Sequence, residues 1–427
     1  MTRVIVAMLG ARRHYAVPRL LHEAGLLERF YTDSYIANKP WLQRMLKMIP
    51  ASLRPGEVRR WLGRSDASLP PEKVTSFERL GLWYAAARRF ARGRADAERV
   101  FEKAAARFSA HIGGRGLKEA DLFWGFDGAS LELLRTAKAM GMRCILEQTI
   151  LPGRLIHRLM REEEARWPGW NRRPDSIGVE SFFLRNKREE EEWALADRIV
   201  AGSDFVRSGL IELGVPTEKV SVVPYGVDPC RFSGLPLDYK GSDKGALKVL
   251  FVGEVGLRKG VPDLLHALNH LEVGAVDLRL AGAIELNEDR LKPWQNRAAF
   301  LGAVPRSEMG DLYRWADVFV LPSIVEGSAG VVYEAVMSGV PVITTPNAGS
   351  IVRDGVDGFV VPIRDQKALA QAIGRYAEDR AILARHRAAT RESRTMVGLD
   401  RYKADLVRVV NDLSDSVITA NSKVNAG

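Results

Sequence analysis

Residues 3–9 run apolar after Arg3 and end at Gly10, the pattern of a buried strand closed by a turn. Apolar spacing then predicts a helix over about 17–28. The stretch 36–118 differs in kind: five prolines and Trp41, Trp61 and Trp83 are scattered among arginines, which predicts several short to medium helices. From Asp121 the alternation becomes regular. Strands are expected at 122–125, 144–147, 196–201 and 220–224, with helices at 130–140 and 205–213. The mixture of Pro, Gly, Ser and Asp over 230–245 predicts a linker. A second alternating series follows, with strands at 248–252, 278–281, 299–301, 318–321 and 341–344. Its helices fall at 261–271, 312–315, 331–338 and 366–378. The small, polar residues that close the chain are expected to fray.

Strands alternating with helices build parallel sheets covered on both faces. Two such series joined by a linker predict an α/β protein of two Rossmann-like, doubly wound domains facing across a cleft. The expected division is a first domain over 1–229, carrying a basic helical insertion at about 36–118, a linker over 230–245 and a second domain over 246–395. A C-terminal helix and tail take up 396–427.

Composition narrows the function classes. Of 427 residues, 46% are hydrophobic and 27% charged, ordinary for a globular chain and unlike a disordered or fibrous one. No apolar run is long enough to span a bilayer, and the short first strand lacks the core and cleavage site of a secretory signal. The two cysteines, Cys144 and Cys230, exclude a disulfide scaffold and fit a reducing compartment. The net charge is +10, but residues 1–120 hold 23 Lys/Arg against 11 Asp/Glu, so the rest is slightly acidic. That asymmetry bears on partners: nucleic acid, anionic lipid or an anionic ligand.

Two segments carry chemistry. In Pro322-Ser323-Ile324-Val325-Glu326-Gly327-Ser328-Ala329-Gly330-Val331-Val332-Tyr333-Glu334, a strand leads through small residues into a helix. Free N–H groups and the helix dipole would favour an anion there. A phosphate would repel carboxylates, so Glu326 and Glu334 suit sugar or ribose hydroxyls. The bland alternative is a capped helix with surface glutamates. In Phe251-Val252-Gly253-Glu254-Val255-Gly256-Leu257-Arg258-Lys259-Gly260, a glycine turn after a strand brings two cations; the absence of Gly-Lys-Ser/Thr excludes a P-loop. The bland alternative there is a solvated basic turn. His266 and His270 stand four apart on a predicted helix, but no His-Glu-x-x-His surrounds them, and packing or a surface pair is expected. No Asp-x-Asp occurs, so no metal site is expected.

Together these segments resemble the retaining glycosyltransferases of family 4, which have the GT-B fold. The resemblance covers roughly 194–395. It extends to Ala196-Asp197-Arg198-Ile199-Val200-Ala201-Gly202-Ser203, Val223-Pro224-Tyr225-Gly226-Val227-Asp228, Phe300-Leu301-Gly302, Gly339-Val340-Pro341-Val342-Ile343 and 352–362. Glu326 and Glu334 match the family's E-x7-E pattern. The resemblance implies a nucleotide-sugar donor on the second domain: Glu326 on the transferred sugar, Glu334 on the ribose, and Gly327, Ser328, Ala329, Gly330 and Val331 around the diphosphate. Arg258 and Lys259 would neutralise the leaving group, Val304 would flank the base, and Gly10 and Gly253 would also be donor-binding. Where many members carry arginine after the glycine, this chain has Glu254. Where the first domain often supplies a histidine, the candidates here are Gln148 and Asp127.

The implied function is transfer of a sugar, with retention, to a glycan or lipid-linked acceptor in cell-surface polysaccharide or glycolipid synthesis. No cofactor is expected, the nucleotide sugar being a substrate. Interleaved cations and apolar residues over 36–64 suit an anionic membrane surface, which points to a cytoplasmic protein peripheral on the inner membrane. The alternatives are a sugar-nucleotide epimerase, which needs a first-domain acid/base set not found, and a non-catalytic basic binder. The latter lacks any nucleic-acid-binding signature, so no nucleic acid partner is expected.

Overall fold

The computed structural model describes residues 2–50, 53–54, 58, 61–113, 117, 120–172, 179–232 and 245–424. Among them, two parallel sheets form two domains, as the alternating pattern predicts. The first sheet holds β1 (Val4–Met8), β2 (Leu27–Thr32), β3 (Val74–Ser76), β4 (Leu122–Phe126), β5 (Arg143–Gln148), β6 (Arg198–Ala201) and β7 (Val220–Val222). Its order is β3-β2-β1-β4-β5-β6-β7. The second holds β8 (Leu247–Val252), β9 (Val276–Ala281), β10 (Ala298–Gly302), β11 (Val318–Leu321), β12 (Val342–Thr344) and β13 (Gly358–Val360). Its order is β10-β9-β8-β11-β12-β13.

Both orders reverse direction beside the first strand of the sheet, at β1/β4 and at β8/β11. In open α/β sheets ligands settle at the carboxyl ends of the strands where the order reverses. The segments singled out for their chemistry, 253–260 and 322–334, follow β8 and β11. The central strands are fully buried, Val4–Met8 and Val318–Leu321 without a break, because helices cover both faces.

Several expectations need correction. The helix predicted over 17–28 stops at Glu23, and Leu27–Thr32 is β2. Gly25, with φ +73, ends the helix, and the next apolar residues pair with β1. The insertion is helical, with Pro40–Met48, Glu78–Arg89 and Arg94–Gly113, but it also contributes β3 at the sheet edge. The Glu/Arg-rich helices Gly153–Arg166 and Val179–Leu195 have no counterpart in the strand-and-helix pattern read from the sequence.

The tail is not frayed up to Val424, since Leu399–Val424 is one helix. It returns to the first domain. Arg401 donates to the carbonyls of Pro224 (2.6 Å) and Tyr225 (2.8 Å), Tyr402 meets Tyr225 edge-on, and Lys403 reaches Glu23. The linker expected over 230–245 lies mostly outside the described residues.

Candidate active site

The loop after β8 folds against the loop after β11. Gly260 has φ +67, and a Cβ there would collide with the Pro322 carbonyl, so only glycine permits this approach. The Arg258 carbonyl accepts from Ile324 N (2.9 Å), and its guanidinium donates to Val325 O (3.2 Å). The two cations of the first loop thereby meet the carboxylate of the second. Lys259 Nζ is in contact with Glu326 Oε1, and Arg258 Nη1 lies 3.4 Å from it. Burial, then Arg258, pushes the Lys259 ammonium down toward about 7. Glu254 works against that shift. Arg258 is lowered by burial, with Glu254 working against the shift. Glu254 therefore sits as a counter-charge beside Arg258.

The helix Gly330–Met337 starts at the end of the small-residue loop, with Glu334 one turn inside and half-buried. Tyr313 OH donates to Glu334 Oε2 at 3.1 Å and fixes the side chain. Tyr333, fully buried, shares a hydrogen bond with Ser328 (2.7 Å) and donates to the Gly349 carbonyl (3.3 Å), which sets the loop's height. Val304 is half-buried beyond β10.

The first domain closes directly over this loop. A Cβ on Gly327 would strike the Thr149 carbonyl, and Ser203 Oγ donates to Gly327 O. Arg13 comes from the loop after β1. Its guanidinium lies against Gly330, 4.5 Å from the centre of the Tyr225 ring, and donates to Gly226 O at 2.8 Å. That loop holds three consecutive non-glycine residues in left-handed backbone, Arg13 (φ 49), His14 (φ 51) and Tyr15 (φ 60). Each costs on the order of 1–3 kcal/mol. Tyr15 anchors the turn: it is fully buried, its hydroxyl bonds Ser34 O at 3.0 Å, and its ring meets Phe30 and Tyr35 edge-on. His14 Nδ1 lies 3.2 Å from Arg306 Nη1, past Val304.

The candidates thus fall into three groups. Glu326, Arg258, Lys259, Gly253, Gly327, Ser328, Ala329, Gly330, Val331 and Glu334 form one surface at the second switch point. Asp127 and Gly10 stand at the first. Asp127 accepts from Arg12 (3.2 Å) and from Thr149 Oγ1 (2.6 Å), and Gly10 N donates to Asp33 (2.8 Å). Gln148 is not presented to the cleft. It is fully buried, donates to Glu189 (2.7 Å) and Ile150 O (3.0 Å), and accepts from Trp193 (2.9 Å). One step along the chain turns the strand's side chains over, so Thr149 is the residue that meets Arg12 and Asp127. His266 lies among Trp167, Trp170 and Trp294, with ring centroids 4.9–5.8 Å away, as a packing group. Arg12, Arg13, Thr149, Tyr313 and Tyr333 escaped the sequence reading. Two adjacent arginines after a first strand were the only available signal.

Residues 246–379 match the model of the family described as Glycosyl transferases group 1. The second domain belongs to that family. Curated relatives share its character. The chain is 30% identical over 243 residues to a D-inositol 3-phosphate glycosyltransferase of Xylanimonas cellulosilytica, covering 52% of this chain and 58% of the relative. It is 28% identical over 205 residues to a putative colanic acid biosynthesis glycosyltransferase, WcaL, of Escherichia coli, covering 43% and 48%. The matched region thus spans about half the length of these relatives. Among solved structures, Anabaena HepE in complex with UDP and glucose aligns with TM-score 0.61 at 14% identity, over 96% of this chain and 100% of that one. Sucrose-phosphate synthase of Thermosynechococcus elongatus aligns with TM-score 0.59 at 17% identity, over 97% and 100%. The group 1 domain and its facing partner therefore form the GT-B fold.

Proposed function

We propose that the protein is a retaining glycosyltransferase that takes a sugar from a nucleotide-sugar donor and does not require a metal. The observation that carries this reading is the contact of Arg258 and Lys259 with Glu326 at the second switch point, closed over by Thr149 and Arg13. A donor diphosphate at the N-terminus of the helix Gly330–Met337 would meet the helix dipole and these cations. Glu326 would face the sugar hydroxyls, and Glu334, held by Tyr313, the ribose. In the reaction the bond from the anomeric carbon to the phosphate oxygen breaks. A bond to the acceptor oxygen forms on the same face, and the acceptor proton passes to the departing diphosphate. Positioning and charge stabilisation supply the rate. Asp127, bound by Arg12 and Thr149, orders the acceptor side.

The acceptor would be a glycan or a lipid-linked glycan, in line with the colanic acid name of one relative. The helix Pro40–Met48 supports a place at an anionic membrane face. Trp41, Met45 and Met48 are 63%, 53% and 75% exposed, and Lys39, Arg44 and Lys47 lie among them. No helix of the described residues is long and apolar enough to cross a membrane.

A panel of UDP-, GDP- and ADP-sugars tests the central reading. One of them should be bound and turned over with its anomeric configuration kept. Binding of DNA with none of the donors bound would replace the reading with that of a basic binding protein.

A further inference from the structure

The first domain encloses a cavity of about 340 Å³ at the carboxyl ends of β4 and β5, roofed by the helices Glu78–Arg89, Arg94–Gly113 and Val179–Leu195. Its wall at Thr149 is the one the donor loop touches at Gly327. Its size is at the small end of ligand pockets, roughly 300–1,000 Å³. That suits the terminal residue of an acceptor rather than a length of polymer.

The charges inside are matched. Arg12 is met by Asp127 (3.2 Å), Arg185 by Glu98 (2.7 Å), and Arg188 by both oxygens of Glu132 (2.6 and 2.7 Å). Arg88, at the mouth, lies by the Tyr84 ring. Two further carboxyl groups line the space, Glu189, bonded by Gln148, and Glu102, half-buried beside Glu98. The basic excess of this part of the chain is elsewhere, on exposed residues such as Arg89, Arg92, Lys103 and Arg107.

An anion entering the cavity would find three of its guanidinium groups, those of Arg12, Arg185 and Arg188, already paired and the carboxyl groups of Glu102 and Glu189 facing it, a desolvation cost without a matching gain. Hydroxyl groups fit this mosaic, since carboxylates accept their hydrogens and guanidinium N–H groups donate to their oxygens. The rings of Tyr84 and Phe101, 6.5 Å apart, give an apolar surface for the C–H face of a sugar. We propose that this cavity receives the acceptor as an uncharged sugar, with Glu102 taking its hydroxyl hydrogens. The proposal rests on the glycosyl-transfer reading and names its acceptor class.

The test uses the full chain with UDP, GDP or ADP bound, on an array of neutral, phosphorylated and uronic-acid glycans. Wild type, Glu102→Gln and Ala97→Trp are compared, the last filling the cavity from its wall. Retention on neutral glycans, falling at least tenfold in both variants while nucleoside diphosphate binding and melting are kept, supports the proposal. Should either variant fold poorly, the other decides. Retention on anionic glycans alone overturns it, as does neutral retention unchanged in Ala97→Trp. Binding of a nucleoside diphosphate with no glycan of any class also overturns it. A wild-type chain that binds no nucleoside diphosphate overturns the transfer reading itself, so the two failures are distinguishable.

Discussion

Lys259 and Glu326 form a buried ion pair that ties the loop after β8 to the loop after β11, with both side chains about nine-tenths shielded from solvent. The pair lies where a donor's diphosphate and sugar would meet. Each partner therefore serves the fold as well as the proposed chemistry.

Replacing Glu326 separates the two roles. In Glu326→Ala, Lys259 is left as an unpaired cation in a dry site, and breaking such a pair costs about 3–5 kcal/mol. Burial and Arg258 already lower its pKa from 10.5 to about 7, with Glu254 working against them, and removing the Glu326 carboxylate lowers it further. Between those values the unfolded chain binds the proton and the folded chain does not, so the variant gains stability as pH rises through that window. Wild type should show less of this rise, measured by thermal unfolding at pH 7–10. Turnover should fall on the order of a hundredfold, comparable to the loss of one transition-state contact.

Arg258 and Lys259 should matter for the diphosphate and not for the base. Charge-assisted bonds are worth roughly 1.5–3 kcal/mol each. The double change to Ala should abolish transfer and weaken nucleoside diphosphate binding by at least a hundredfold while leaving nucleoside binding nearly unchanged, by calorimetry. With these cations supplying the charge, turnover should survive a strong chelator. Loss in chelator, restored by magnesium or manganese, would refute metal independence.

Three buried carboxyl groups sit behind the first-domain wall of the cleft. Burial raises Glu147, Glu189 and Glu192 from 4.5 to about 7. Between those pH values the unfolded chain has released protons that the folded chain keeps. Their contribution to stability is therefore present at low pH and declines as pH rises toward and through about 7. Melting temperature should fall over pH 5–8, and Glu147→Gln should flatten the slope.

The exposed face of Pro40–Met48 predicts attachment to vesicles rich in phosphatidylglycerol and not to neutral ones. Each Lys or Arg near such a surface contributes about 1 kcal/mol, and high salt should release the protein. Trp41→Ser with Met48→Ser should weaken co-sedimentation without changing donor binding. Indifference to anionic vesicles at low salt would end the membrane reading.

The second domain was legible because its first three strands are short runs closed by Gly253, Gly282 and Gly302, and because the two chemistry-bearing loops follow strands in sequence as they do in space. The first domain was less so. Leu27–Thr32 reads as more helix because its apolar positions continue the spacing of 17–23, and only the turn at Gly25 separates them. Gln148 was off by one position because sequence spacing does not show which side of a strand's end faces the cleft. Arg13 reaches Gly330 from more than three hundred residues away, through a turn that uses left-handed backbone without glycine, and no local pattern announces that.

The return of the helix Leu399–Val424 to the first domain has a mechanical consequence. The chain crosses between the domains twice, once after Phe232 and once at Gly398. At the second crossing, Val227 N donates to Val397 O at 2.8 Å, and Val227 and Gly398 form a parallel bridge. The second pass is thereby fastened to the first domain at Val227, before the helix Leu399–Val424 packs on it. A nick in the linker alone would leave the domains joined.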